Sequence, residues 1–161
     1  VTQIKAIIFD WGDTLMRDFP QFKGAMAHWE RVEEIPKVKE TLEILSGKYV
    51  CCVASNAGDS DTELMALALN RVGIKKYFHH LFTSRELKAA KPNPDFFKKV
   101  VENLNFKPEE CMMVGNDYEK DIVPAKAVGI HTVLFAEEGR DAVFANADYV
   151  IHSIDQLHNV I

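Results

Sequence analysis

The sequence predicts an α/β protein, a Rossmann-like three-layer sandwich around a central, mostly parallel sheet. Three observations point there. Short apolar, β-branched runs alternate with amphipathic helical stretches, as they do where helices cover both faces of a parallel sheet. The runs at residues 4–9 and 49–54 are apolar at nearly every position, the pattern of strands buried on both sides. Three of the runs end on polar residues (Asp10, Ser55-Asn56 and Asn116-Asp117), and such sheets bind ligands beyond the carboxyl ends of their strands.

At 161 residues the chain is most simply one domain, 1–161, large enough to bury roughly two-thirds of its unfolded surface. Hydrophobic content of 47% and charged content of 27% are those of an ordinary globular protein. A net charge of −5 without a Lys/Arg stripe argues against nucleic acid as a partner. A phosphorylated substrate stays compatible, because a bound cation can reverse the local field. Val1 leads almost directly into the first strand, with no signal-peptide pattern, and no apolar stretch approaches a membrane span. Cys51, Cys52 and Cys111 sit in predicted strands as small core residues. Their odd count predicts a reducing, cytoplasmic setting, and no Cys/His spacing suggests zinc.

Taken in order, residues 4–9 form the first strand and end on Asp10 and a Trp11-Gly12-Asp13-Thr14 turn. Phe22, Met26, Trp29 and Val32 recur at helical spacing, so 16–35 is expected to hold a short amphipathic helix that leans over the strand end as a lid. Pro36 opens a helix with Val38, Leu42 and Leu45 inward, closed by Gly47. The second strand, 49–54, runs into Ser55-Asn56-Ala57-Gly58. A Ser60/Glu63 capping box then starts a helix with Leu64, Leu67, Ala68 and Val72 inward. A third strand lies near Leu81-Phe82-Thr83, after His79 and His80 at the surface. Each residue before a proline is pushed out of the helical region, which makes 88–94 an extended loop. Asn93 caps a helix carrying Phe96, Phe97, Val100, Val101 and Leu104. The fourth strand, 111–114, precedes a helix running to about Val128. The fifth and sixth strands fall at 131–135 and 149–151, and a Ser153/Gln156 capping box opens a last turn. Residues 136–147 read equally as loop or short helix.

If the strand ends neighbour one another, Asp10, Ser55, Asn56, Asn116, Asp117 and Asp121 form one acidic pocket, with Lys91 reaching in from the proline-bracketed loop. Grouped acidic oxygens repel unless a hard cation sits among them, and Mg²⁺ takes oxygen ligands of this kind. Phosphoryl transfer needs mainly positioning and charge neutralisation, and a carboxylate such as Asp10 can attack phosphorus to give an aspartyl-phosphate.

These segments resemble the haloacid dehalogenase superfamily, most of whose members are Mg²⁺-dependent phosphatases. Phe9-Asp10-Trp-Gly-Asp-Thr14-Leu15 is similar to its first motif, and Val53-Ala-Ser55-Asn56 to its second. Lys91-Pro-Asn-Pro-Asp-Phe96 is similar to the third and Val114-Gly-Asn-Asp117…Asp121 to the fourth. The resemblance implies Asp10 as nucleophile and Lys91 as the cation that neutralises nucleophile and phosphate. It implies phosphate contacts from Thr14, Ser55 and Asn56, and metal-binding oxygens from Asp10, the Gly12 carbonyl, Asn116, Asp117 and Asp121. Lys88 is the rival for Lys91, but only Lys91 precedes a proline as the pattern requires.

Two departures stand out. Phosphatases of this kind usually carry an acid/base Asp two residues after the nucleophile, where this chain has Gly12. Asp13, one residue on, is either aimed inward as the replacement or a solvated turn residue. Asn116 stands where the pattern has Asp, and an amide oxygen can ligate Mg²⁺ without charge. Fewer than ~40 residues separate Leu15 from the second strand, too few for a full cap domain. The open site that results admits a small phosphorylated molecule or a phosphoprotein, and a homo-oligomer could supply a lid. The expected activity is phosphate monoester hydrolysis with Mg²⁺. The alternatives are a phosphate-binding regulatory protein without turnover and a metal-independent dehalogenase.

Overall fold

The computed structural model describes residues 3–139 and 142–161. Six strands form one all-parallel sheet: β1 (Ala6–Phe9), β2 (Val50–Ser55), β3 (His80–Thr83), β4 (Cys111–Gly115), β5 (His131–Phe135) and β6 (Tyr149–Ile151), in the order β3-β2-β1-β4-β5-β6. The chain builds outward from β1 through β2 to β3, then crosses back to lay β4 on the other side of β1. That reversal opens a crevice at the carboxyl end of β1, the place where doubly wound sheets bind ligands. Register aligns the strand ends: Phe9 lies opposite both Val53 and Val114, so Asp10 leaves the sheet one residue before Ser55 and Asn116, and all three emerge at the same edge.

The pleat sorts alternate residues into two cores. Ile7, Phe9, Cys51, Val53, Met112 and Val114 face a layer containing α1 (Val38–Leu45), α2 (Thr62–Arg71) and the closing 3₁₀ turn Ile154–Asn159. Ala6, Ile8, Cys52, Ala54, Cys111 and Met113 face α3 (Ser84–Leu87), α4 (Pro94–Leu104) and α5 (Val123–Ala127). The expected three-layer α/β sandwich is therefore the one observed. As expected, Asn93 caps α4 by accepting from the Asp95 N–H, with Pro94 at its first position, and Gln156 accepts from the Ser153 N–H. Among the described residues, no helix is long and apolar enough to cross a membrane.

Four local expectations fail, each for a physical reason. The helix expected from Phe22 to Val32 is a single 3₁₀ turn, Met26–His28, between extended residues Ala25 and Trp29. The left-handed Gly24 (φ +75°) breaks the run, and Arg71 at the end of α2 takes the carbonyls a helix would use, Ala27 O at 3.2 Å and Trp29 O at 2.6 Å. The next helix starts at Val38 rather than Pro36, because Lys37 is left-handed. In α2 the cap is Asp61, which accepts from the Leu64 N–H at 2.9 Å, while the Ser60 N–H closes the preceding turn on Ala57. That one-residue shift buries Met65, Ala68 and Leu69 and leaves Leu67 exposed. After β4 the backbone makes a π turn, Tyr118–Ile122, before the short α5, because Pro124 has no N–H for a continuous α ladder. The segment 136–147 shows turns near both ends, and its residues 140 and 141 lie outside the described residues.

All three cysteines are free and buried. Burial pushes Cys51 and Cys111 up to about 12 and raises Cys52 as well. Thiolate is the reactive form, so the folded protein should resist iodoacetamide at pH 8 and take three adducts in denaturant. Native labelling detected by mass spectrometry would contradict this packing.

Candidate active site

At the carboxyl edge of β2, β1 and β4, a cavity of about 330 Å³ is lined by Asp10, Ser55, Asn56, Lys91, Asn116, Asp117 and Asp121, together with Gly12, Asp13, Asp18 and Lys120. Asp10, Asp13, Lys91, Asp117 and Asp121 therefore reach one place, with distinct engagements, and Lys88, the rival lysine, does not line it.

Lys91 is the hub. Its Nζ donates to Asp10 Oδ1 at 3.0 Å and to Asp121 Oδ1 at 2.7 Å, with its side chain 3% exposed. Burial opposes the ammonium charge, but the two carboxylates outweigh it and hold Lys91 above its ordinary value. Burial, then the Asp10 charge, pushes the Asp121 carboxyl up to about 7 against the pull of Lys91. Asp121 can come this close to the strand only because residue 115 is glycine: a Cβ there would stand 2.3 Å from Asp121 Oδ2. That oxygen accepts from the Asp117 N–H at 3.1 Å, so both oxygens of Asp121 are engaged in holding Lys91 and the π turn.

Asn56 was expected to touch phosphate. It lines the cavity, and its amide brackets the backbone of Lys91, accepting from the lysine N–H at 2.9 Å and donating to its carbonyl at 3.1 Å. Thr14 is fully buried and bonded to the Asn116 side chain at 3.2 Å. Both hold other site residues in place. Ser55 is different. Its Oγ accepts from the Ala57 N–H at 3.1 Å, which leaves the hydroxyl proton for an acceptor entering the cavity.

The Asn116 amide lies against three oxygens. Turned with its nitrogen inward, it donates to Asp10 Oδ2 at 3.1 Å and to Gly12 O and Thr14 Oγ1, each at 3.2 Å. Turned the other way, it adds a fourth oxygen to a cluster of hard donors suited to Mg²⁺. Asp10, the Gly12 carbonyl and Asn116 thus fit a small oxygen-seeking cation. Among the described residues no three His, Cys, Asp or Glu side chains form a cage by themselves. Asp117 caps the π turn by accepting from the Lys120 N–H at 3.1 Å and borders the same cavity.

The turn carrying Gly12 is tight: Trp11 O accepts from the N–H groups of Thr14, Leu15 and Met16. Asp13 takes the left-handed conformation (φ +58°), which Asp tolerates better than most residues. Its Oδ1 accepts from the Asp18 N–H at 3.0 Å. Sequence reasoning missed Asp18, which lies in the 16–35 stretch expected to hold a short helical lid, ahead of the residues read as its helix. Partial desolvation at the cavity rim, then the charges of Asp13 and Asp10, raises its carboxyl above the ordinary value. A second cavity, about 340 Å³, opens beside the first and is walled by Trp11, Phe22, Met26 and Trp29 with Lys23 at its edge. Residues of the stretch 18–29 wall this second cavity from a loop with one 3₁₀ turn rather than from a helix.

The family model for haloacid dehalogenase-like hydrolases matches residues 18–129, and the chain belongs to that family. It is 32% identical over 145 residues to ribulose-1,5-bisphosphate 5-phosphatase of Halopiger xanaduensis, a match covering 84% of this chain and 59% of that protein. Over 96 residues it is 38% identical to glyceraldehyde 3-phosphate phosphatase of Pyrococcus furiosus, covering 56% of this chain and 40% of that protein. The chain thus spans less than two-thirds of either relative. A solved phosphatase of this superfamily from Thermococcus onnurineus has the same fold, with a TM-score of 0.81 at 22% identity over 98% of this chain and 97% of that one.

Two substitutions test the hub. Removing one partner of a buried charge group destabilises by about 3–5 kcal/mol, and Lys91→Ala should show this at pH 8 by urea unfolding. The Asp121 carboxyl, already raised to about 7, keeps in the folded state a proton that the unfolded chain releases near pH 4. Stability therefore falls as pH rises through that window, and the loss should be smaller at pH 5. An equal loss at both pH values would contradict the ion network. Gly115→Ala should cost about 1–3 kcal/mol by overpacking against Asp121, and a neutral result would remove the close approach from the account.

Proposed function

We propose that the protein is a Mg²⁺-dependent phosphohydrolase that cleaves a small phosphate monoester through an aspartyl-phosphate at Asp10. The observation that carries this reading is the convergence of Asp10, Ser55, Lys91 and the Asn116–Gly12 oxygen cluster on one cavity at the switch point of the sheet. The phosphatase names of its relatives support the reaction class, and the sugar phosphates in those names support a phosphorylated metabolite as substrate.

In this mechanism Lys91 and Ser55 bind the phosphoryl oxygens while Lys91 and Asp121 orient the Asp10 carboxylate for in-line attack. Asp10, the Gly12 carbonyl and Asn116 would hold Mg²⁺, with Asp117 beside them. The bound cation would neutralise charge shared between the phosphate and Asp10. Asn56 and Thr14 keep Lys91 and Asn116 in register with Asp10. Phe22, Met26 and Trp29 present an apolar wall to the leaving group.

A binding protein without turnover is the second reading, favoured by Gly12 and Asn116 at two positions where family phosphatases carry carboxylates. Hydrolysis of para-nitrophenyl phosphate separates the two. Mg²⁺-dependent release that EDTA abolishes and that Asp10→Asn lowers by at least about 10³-fold is expected if one covalent nucleophile carries the reaction. Turnover unchanged in Asp10→Asn would overturn the mechanism. Phosphate-ester binding with no turnover would favour the second reading.

A further inference from the structure

Gly12 removes a carboxylate from the position where this reaction needs a proton donor, yet the space beside it is not vacant. A Cβ built on Gly12 would meet Asp18, with Asp18 Cβ at 3.6 Å and Oδ2 at 3.8 Å. The Asp18 carboxylate therefore stands within van der Waals reach of the place where a residue-12 side chain would begin. It also borders both cavities, the charged one beside Asp10 and the aromatic one beneath Phe22 and Trp29, a border it shares with Gly12 and Ser55. A general acid for ester cleavage must stand at that border, because the oxygen it protonates joins the phosphoryl group to the leaving group.

We infer that Asp18 is the general acid/base of this site, a carboxylate brought in from the overhanging loop in place of one at position 12. The inference rests on the phosphohydrolase reading above. Asp13 is the competing candidate, but its Oδ1 accepts from the Asp18 N–H and so holds the donor loop in position. Asp13 borders the charged cavity but, unlike Asp18, does not border the aromatic one.

An Asp10 oxygen bonds to phosphorus as the bond between phosphorus and the leaving oxygen breaks, and Asp18 gives its proton to that oxygen, which departs as the alcohol. The Asp18 carboxylate then takes a proton from the water that attacks phosphorus. The bond between Asp10 and phosphorus breaks, inorganic phosphate leaves, and both carboxyl groups return to their starting states.

The test compares two esters of similar shape, para-nitrophenyl phosphate, whose leaving group needs little protonation, and benzyl phosphate, whose alkoxide needs much. Asp18 is exposed, so Asp18→Asn should fold. It should lower kcat on benzyl phosphate by about 10²-fold or more, the usual worth of a general acid, and on the aryl ester by less than about fivefold. The double variant Gly12→Asp/Asp18→Asn, which moves the carboxylate to position 12, should recover benzyl turnover. Equal losses on both esters, or a benzyl-selective loss in Asp13→Asn and not in Asp18→Asn, would overturn the assignment. A wild type that cleaves only the aryl ester lacks an effective acid and would overturn it too. If the wild type cleaves neither ester, the phosphohydrolase reading fails first, an outcome distinct from failure of Asp18 alone.

Discussion

The structure depends on one buried cation. Lys91 is almost completely withdrawn from water, and an isolated ammonium there would cost several kcal/mol. It is tolerated because Asp10 and Asp121 face it at 3.0 and 2.7 Å and because Asn56 holds its backbone at both the N–H and the carbonyl. Those three partners come from the loops after β1, β4 and β2. One charge thus ties together the ends of the three central strands, and the geometry that makes the ion stable also positions Asp10.

Other features follow from that constraint. Gly115 lacks a side chain so that Asp121 can lie against the end of β4. The π turn brings Asp121 round to the lysine and caps itself on Asp117. On the opposite rim, the stretch 18–29 stays irregular because Arg71 satisfies its carbonyls from α2, and this irregular path carries Asp18 over Gly12. A regular helix across those residues would need the same carbonyls and would present its groups differently. The left-handed Asp13 and the loop behind it work as one piece, joined by the bond from the Asp18 N–H to Asp13 Oδ1.

Much of this was legible in the sequence because strand signals are local. The apolar runs ending in Asp10, Ser55 and Asn116 predict both the sheet and the edge where charged groups gather, and the register of β1 with β2 and β4 brings all three out at that edge. What each side chain touches was less legible, since it depends on neighbours distant in sequence. Asn56 and Thr14 carry polar groups that could contact phosphate, but their partners, the Lys91 backbone and Asn116, are supplied by the tertiary fold. The helical spacing of Phe22, Met26 and Trp29 is present, but it is overridden by Gly24 and the tertiary reach of Arg71. Asp18 gave no local signal at all, because its relation to Gly12 exists only once the chain turns at Asp13. The α2 register shows the same limit on a smaller scale: Ser60 and Asp61 are both plausible caps, and the turn bond from Ser60 to Ala57 decides between them.

The most direct test of the central claim is an NMR measurement on protein labelled with ¹⁵N at lysine and ¹³C at aspartate. A slowly exchanging Lys91 ammonium is expected at neutral pH, with scalar couplings across its hydrogen bonds to the carboxylate carbons of both Asp10 and Asp121. A Lys91 ammonium that exchanges as fast as the surface lysines, with coupling to neither carboxylate, would contradict that claim.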